Sequence, residues 1–141
     1  MVVSVFDIFK VGVGPSSSHT VGPMRAGFMF VSELENEQKL ARTDRIAVDF
    51  FGSLALTGKG HASHTAAMLG LSGIEPDKAD PDKSAVLIDT IRNKQVMLFL
   101  GRYKKAFVEK RDIIMHYDKV LPGHPNAMTF TAFAADGAQI A

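Results

Sequence analysis

The chain has 141 residues, of which 46% are hydrophobic and 22% are charged, with 16 Lys and Arg against 15 Asp and Glu. A chain of this length buries roughly 70% of its unfolded surface on folding, which is enough for one hydrophobic core. A formal net charge of +1 gives no electrostatic field that would attract nucleic acid. The absence of cysteine excludes disulfides, thiolate nucleophiles, Cys-rich zinc sites and thiolate-bound iron–sulfur clusters from this chain.

The first ten residues predict a short strand or an amphipathic turn, which must end at Gly12-Val13-Gly14-Pro15. Asp7 and Lys10 interrupt this segment where a secretory signal needs continuous apolar residues. No apolar run elsewhere is long enough to span a membrane. We therefore expect a single cytoplasmic domain over residues 1–141, without a membrane or nucleic-acid partner.

Three helices are predicted. Apolar residues recur at steps of three and four from Val21 to Leu34, which indicates an amphipathic helix with a serine- and threonine-rich start. A second helix is expected over 61–71, after the glycine-punctuated loop Gly58-Lys59-Gly60. A third helix is expected to be capped by Ser84. Its predicted inner face consists of Leu87, Ile88 and Ile91.

Strands are predicted at 46–51, 96–100, 112–117 and 128–133. They interleave with the helices without a strict β-α-β rhythm, which favours a two-layer α+β sandwich with a mixed, largely antiparallel sheet. Asp136-Gly137 is a two-residue hairpin signal close to the end of the sequence. Either this hairpin is short, or the chain is part of a longer polypeptide.

Two segments in front of helices carry groups suited to a small anion. Four hydroxyls and one imidazole lie together in the sequence before the first helix, at Ser16, Ser17, Ser18, His19 and Thr20. Unpaired amides and the helix dipole favour a carboxylate or phosphate at such a position. A helix cap needs one hydroxyl, so four hydroxyls favour a binding site over a simple cap. Lys59 and His61 could converge on an anion in the same way at the second helix.

The other histidines and the basic run 102–111 are more simply interpreted as structural or surface residues than as a binding site. His61 and His64 have the i, i+3 spacing that could hold a metal, but the sequence places no third ligand, so no metal is predicted in this chain. His116 falls within a strand and is predicted to be structural, whereas a lone histidine such as His124, in a rigid loop, is usually a surface residue. The basic run 102–111 is diluted by acidic residues and is predicted to be a solvated face.

Three sequence blocks carry a family resemblance. They are Val5-Phe6-Asp7-Ile8-Phe9-Lys10 with Gly12-Val13-Gly14-Pro15-Ser16-Ser17-Ser18-His19-Thr20-Val21-Gly22-Pro23-Met24, then Gly58-Lys59-Gly60-His61-Ala62, then Leu121-Pro122-Gly123-His124-Pro125-Asn126-Ala127-Met128. Together they closely resemble the amino-terminal (β) domain of bacterial iron–sulfur L-serine dehydratases. The resemblance implies an L-serine ammonia-lyase that forms pyruvate and ammonia without pyridoxal phosphate. It also implies a [4Fe–4S] cluster held by the cysteines of an α domain that this chain lacks. This chain would then be an inactive fragment whose partners are L-serine, its α domain and a second copy in a homodimer.

The resemblance further implies roles for individual residues. The substrate-binding residues would be Ser16, Ser17, Ser18, Thr20, Lys59 and His124. His61 is the preferred acid–base group, and the sequence does not separate its role from that of His19. His64-Thr65 departs from the family pattern, where a more polar Asp-Lys-like pair is expected. The β domain is also similar to a regulatory domain of some phosphoglycerate dehydrogenases that binds small acids. A non-catalytic, serine-sensing regulatory domain is therefore the second hypothesis.

Overall fold

The computed structural model describes residues 2–4, 21–52, 60–116 and 126–141. The elements in chain order are β1 (Val2–Ser4), α1 (Val21–Asn36), β2 (Arg45–Gly52), α2 (Gly60–Leu71), α3 (Pro81–Lys94), β3 (Val96–Phe99), β4 (Tyr103–Ala106), α4 (Glu109–Asp112), β5 (Ile113–His116) and β6 (Asn126–Phe133). Short 3-10 turns at Leu40–Arg42 and Pro76–Lys78 precede β2 and α3.

The main sheet has four strands in the order β1-β6-β2-β5. β6 runs antiparallel to both β1 and β2, whereas β5 runs parallel to β2. Parallel strands need a long crossover, and here it contains α2, α3, the separate antiparallel ribbon of β3 and β4, and α4. The predicted mixed, largely antiparallel sheet is confirmed.

The helices cover one face of this sheet. Side chains alternate between the two faces of a strand, and Ile46, Val48 and Phe50 of β2 are all fully buried. The ring of Phe50 stacks on His64 of α2 at 5.9 Å between centroids, and Phe130 of β6 stacks on Phe30 of α1 at 5.3 Å. Two layers with one core between them result, which confirms the predicted α+β sandwich.

α1 and α2 approach each other closely at two glycines. A Cβ atom built on Gly70 would lie 2.9 Å from the backbone nitrogen of Phe28 and still closer to the carbonyl oxygen of Met24. A Cβ atom on Gly27 would lie 3.0 Å from the carbonyl oxygen of Ala67. The absence of side chains at Gly27 and Gly70 therefore allows the observed spacing of these two helices.

The start of α3 differs from the prediction. Oδ1 of Asp80 accepts hydrogen bonds from the amides of Asp82 at 2.9 Å and Lys83 at 3.2 Å, and Pro81 occupies the first helical position. The predicted Ser84 cap is wrong because the helix has already begun there; its buried hydroxyl has no hydrogen-bond partner among the residues that the structure describes. The predicted inner face is confirmed, with two members buried and the third packed against the core: Ile88, Ile91 and Leu87.

The four predicted strands appear as β2, β3, β5 and β6, with ends that differ by no more than two residues over the described part of the chain. β4, within the basic run, was not predicted. The basic side chains of that run are exposed or paired with acids, as for Arg102, which donates to Glu35 at 3.0 Å. The run is therefore a solvated face, as expected.

The hairpin predicted at Asp136-Gly137 is present in a short form. Gly137 has a φ of +88°, and its amide donates to the carbonyl oxygen of Ala134 at 2.9 Å. The returning segment pairs through a single antiparallel bridge between Phe133 and Gln139. Among the helices in the described ranges, none is long and apolar enough to cross a membrane.

Candidate functional site

Four strand ends meet at one end of the main sheet. Ser4, the last residue of β1, pairs with Ala127 near the start of β6. Phe51, next to the last residue of β2, pairs with Ala127 on one side and with His116, the last residue of β5, on the other. The carboxyl ends of β1, β2 and β5 and the amino end of β6 therefore lie at the same level across the sheet. We call this the motif end of the sheet.

All three sequence blocks are joined to the motif end. Residues 5–20 follow β1, residues 53–59 follow β2, and residues 117–125 connect β5 to β6. The first two segments also lead directly into α1 and α2. Segments that are far apart in sequence are thus tethered to neighbouring strands, which is the arrangement that a composite binding site requires.

Most of the predicted site residues lie outside the described residues. These are Ser16, Ser17, Ser18, His19, Thr20, Lys59 and His124. His61 is the second residue of α2, so its backbone is at a helix start as predicted. The roles assigned to all eight residues stay predictions.

His64 contacts protein groups through both ring nitrogens. Nδ1 lies 3.3 Å from Oε2 of Glu109, and Nε2 lies 3.1 Å from Sδ of Met115. Its ring also stacks on Phe50. His64 therefore connects α2 to α4, β5 and β2. Over the ranges that the structure describes, no group of three His, Asp or Glu residues could hold a metal ion.

Glu109 forms the centre of a charged network that includes His64 of α2. Arg92 of α3 donates to Glu109 through Nε at 2.9 Å and through Nη2 at 3.1 Å. The hydrogen bond from Arg92 lowers the pKa of Glu109; burial opposes this effect, and the charges of Arg92 and His64 reinforce it. The same bond raises the pKa of Arg92. The network ties together α2, α3 and α4.

A second histidine–carboxylate pair lies near the motif end, on the sheet face opposite the helices. Nε2 of His116 is 2.8 Å from Oδ1 of Asp49, and the His116 ring stacks on Phe51 at 4.5 Å with an angle of 5° between planes. The Thr129 hydroxyl donates to Oδ2 of Asp49 at 3.4 Å. His116 was predicted to be structural, and it does connect β5 to β2. We call this pair the Asp49–His116 dyad.

Sequence reasoning did not identify Asp49. Its signal was a single carboxylate inside an otherwise apolar strand, 46–51, at a position that alternation assigns to the face away from Val48 and Phe50. A half-buried carboxylate in a strand needs a partner, but the partner is 67 residues away and could not be selected from the sequence.

The structure is an α+β domain in which the strand ends that lead into the hydroxyl- and histidine-bearing segments lie at one end of a sheet. Comparison with known proteins gives a more specific result. The family described as the serine dehydratase beta chain matches residues 4–141, and this chain belongs to that family. The resemblance predicted from the three sequence blocks is confirmed.

Individual relatives agree with this assignment. The chain is 45% identical over 141 residues to an L-serine dehydratase of Mycobacterium tuberculosis and 43% identical over 140 residues to one of Streptomyces coelicolor. It is 44% identical over 132 residues to the L-serine dehydratase TdcG of Escherichia coli. These matches cover 100%, 99% and 93% of this chain but only 30%, 31% and 29% of the relatives. The chain thus spans about a third of the length of the relatives that it matches.

Proposed function

We propose that this chain supplies substrate-binding and acid–base groups to an L-serine ammonia-lyase. The observation that carries the proposal is the tethering of all three sequence blocks to the motif end of the sheet. Membership of the serine dehydratase beta chain family supports the substrate class. The names of the relatives, L-serine dehydratase, support the reaction type.

The proposed reaction is an elimination followed by hydrolysis. Loss of the α-proton and the β-hydroxyl of L-serine releases water and leaves aminoacrylate. Aminoacrylate tautomerises to the imine, which takes up water to give pyruvate and ammonia. In this scheme Ser16, Ser17, Ser18 and Thr20 bind the substrate carboxylate at the start of α1, assisted by Lys59 and His124. His61 moves the proton, with His19 as the alternative, because imidazole exchanges protons near neutral pH.

The cofactor implied by the resemblance does not fit this chain. A [4Fe–4S] cluster is held by cysteine thiolates, and the sequence contains no cysteine. We propose that the cluster belongs to the part of the enzyme outside this chain. The roles proposed here are therefore confined to binding, orientation and proton transfer.

The test is His61→Ala in the complete dehydratase, in which this chain is joined to or assembled with the rest of the enzyme. Loss of a general acid–base group is expected to lower pyruvate formation by about 10²- to 10⁴-fold. The absorbance of the cluster should stay unchanged. His64→Asn is the matched control on the same helix; because His64 contacts Glu109 and Met115, it should lower stability and leave kcat close to wild type. Full turnover by His61→Ala would remove His61 from the proposal.

The regulatory hypothesis predicts a different outcome. If the domain only senses serine, substitutions such as Ser17→Ala should weaken serine binding in a calorimetric titration while kcat/KM stays close to wild type. If the domain is catalytic, the same substitutions should lower kcat/KM in proportion to the loss of binding. A binding defect with an unchanged kcat/KM would therefore favour regulation over catalysis.

A further inference from the structure

The Asp49–His116 dyad differs from the other carboxylate clusters of the structure in its charge balance. Glu35, Glu109 and Asp112 are each buried or half-buried, and each bonds an arginine. Asp49 is similarly shielded, with 21% of its side chain exposed, but no Lys or Arg of the described ranges lies within ion-pair distance. Among the described residues, its carboxylate contacts an imidazole and a hydroxyl.

The geometry determines which ring nitrogen of His116 can accept a further hydrogen bond. An ionised carboxylate only accepts hydrogen bonds, so the 2.8 Å contact with Asp49 places a hydrogen on Nε2. In the neutral ring, Nδ1 is then the acceptor. Parallel stacking on Phe51 fixes the plane of the ring. Nδ1 has no hydrogen-bond partner among the residues that the structure describes.

The position of this acceptor coincides with the motif end. His116 is the last residue of β5 and lies level with Phe51 and with Ala127 of β6. The segment that contains His124 follows it directly in the chain. His116 bonds the carboxylate of Asp49, which contacts no arginine of the described ranges. The acceptor Nδ1 is therefore at the same end of the sheet as the strand ends that lead into the sequence blocks assigned to the substrate.

We propose that His116 is a further substrate-binding residue, whose Nδ1 accepts a hydrogen bond from the α-ammonium group of the amino-acid substrate. Asp49 is the positioning residue that holds the tautomer and supplies the complementary negative charge. An ammonium group suits this site because it is a cationic donor, whereas a carboxylate would meet the like charge of Asp49. This inference rests on the proposed function.

The first test is His116→Gln in the complete dehydratase. The glutamine amide can still donate to Asp49 but presents no acceptor at the position of Nδ1. Losing one hydrogen bond to a charged group is expected to raise KM for L-serine by about tenfold to a hundredfold, with kcat close to wild type. Asp49→Asn should also raise KM, because an amide that donates to Nε2 moves the ring hydrogen to Nδ1. Thr131→Val, on the same face of β6, is the matched control and should change neither constant.

Competitive inhibitors identify the substrate group that is bound. L-Alanine carries the ammonium and carboxylate groups without the hydroxyl, and 3-hydroxypropanoate lacks the amine. His116→Gln is expected to weaken inhibition by L-alanine and to leave inhibition by 3-hydroxypropanoate unchanged. Equal weakening of both inhibitors would show that His116 does not bind the ammonium group.

An unchanged KM for L-serine in His116→Gln would overturn the inference outright. If a lower urea midpoint and a proportional loss of active enzyme accompany that unchanged KM, the dyad is a structural link between β5 and β2. Failure of the wild-type complete protein to form pyruvate would instead refute the proposed function. Calorimetric binding of the two inhibitors needs no turnover and would still report on His116.

Discussion

Replacing Gly70 with alanine tests whether the spacing of α1 and α2 depends on the absence of a side chain. Helix propensity predicts stabilisation, because alanine is about 1 kcal/mol more favourable than glycine in a helix interior. The structure predicts the opposite sign. The new methyl group would lie 2.9 Å from the backbone nitrogen of Phe28 and closer still to the carbonyl oxygen of Met24.

The size of the loss in unfolding free energy depends on which atoms the new methyl group would contact. Backbone atoms cannot rotate away as the end of a side chain can, so α1 and α2 must separate. Overpacking of a core costs about 1–3 kcal/mol, and we use the upper value for Gly70 because two backbone groups conflict with the methyl. After the gain of about 1 kcal/mol in propensity, the free energy of unfolding should fall by about 2 kcal/mol. Gly27→Ala, with its nearest atoms at 3.0 and 3.1 Å, should have a net effect near zero.

Urea unfolding followed by far-ultraviolet circular dichroism measures these effects, with every variant in the same protein context. With a slope of about 2 kcal/mol per molar urea, the Gly70→Ala midpoint should fall by about 1 M. Gly137→Ala is the control for backbone conformation: its φ is +88° and a Cβ atom there would meet no atom of the described residues within 4 Å, so it should cost about 1 kcal/mol. A Gly70→Ala midpoint at or above that of the wild type would refute the reasoning.

Two further substitutions test local interactions. Asp80→Ala removes the cap of α3 and is expected to cost about 1 kcal/mol in unfolding free energy, whereas Asp80→Asn should retain most of the stability; equal midpoints for the two variants would contradict the cap. Glu109→Gln weakens the bonds from Arg92 and is expected to cost up to about 1 kcal/mol at neutral pH. Because the folded-state pKa of Glu109 lies below its ordinary value of 4.5, this contribution is present above that value and is lost as the pH falls through the folded-state pKa. Thermal unfolding at neutral and acidic pH should therefore show the wild type losing more stability than Glu109→Gln, and a parallel decline of the two would contradict the assigned cause.

The elements that could be predicted have strong local signals. α1 shows apolar residues at three- and four-residue steps, and β2 combines β-branched and aromatic residues. The sequence also contains a signal for the cap of α3, because Asp80 followed by Pro81 is typical of a helix start. Ser84 resembles a cap in the sequence because it precedes the apolar positions of the helix, but α3 begins three residues earlier, at Pro81.

The features that could not be predicted depend on distant parts of the chain. β4 has no apolar alternation, and its pairing with β3 follows from a tight turn in which Leu100 and Gly101 both have positive φ. The Asp49–His116 dyad depends on the parallel register of β2 and β5, which are separated by a long crossover. Local propensity does not determine such a register.

The candidate site also combines features that the sequence predicts with features that it does not. The hydroxyl- and histidine-bearing blocks can be found in the sequence, since their residue types and order are unusual. Their attachment to a common end of the sheet depends on the strand order β1-β6-β2-β5, which no local pattern encodes. The structure therefore adds the connection between the blocks and the dyad beside them.

Pyruvate formation from L-serine by this chain, by the remainder of the dehydratase and by the two together tests the central claim most directly. If this chain supplies the binding and acid–base groups, neither part forms pyruvate by itself, and activity appears when the two are combined. Full activity of the remainder without this chain, or of this chain without the remainder, would contradict the account.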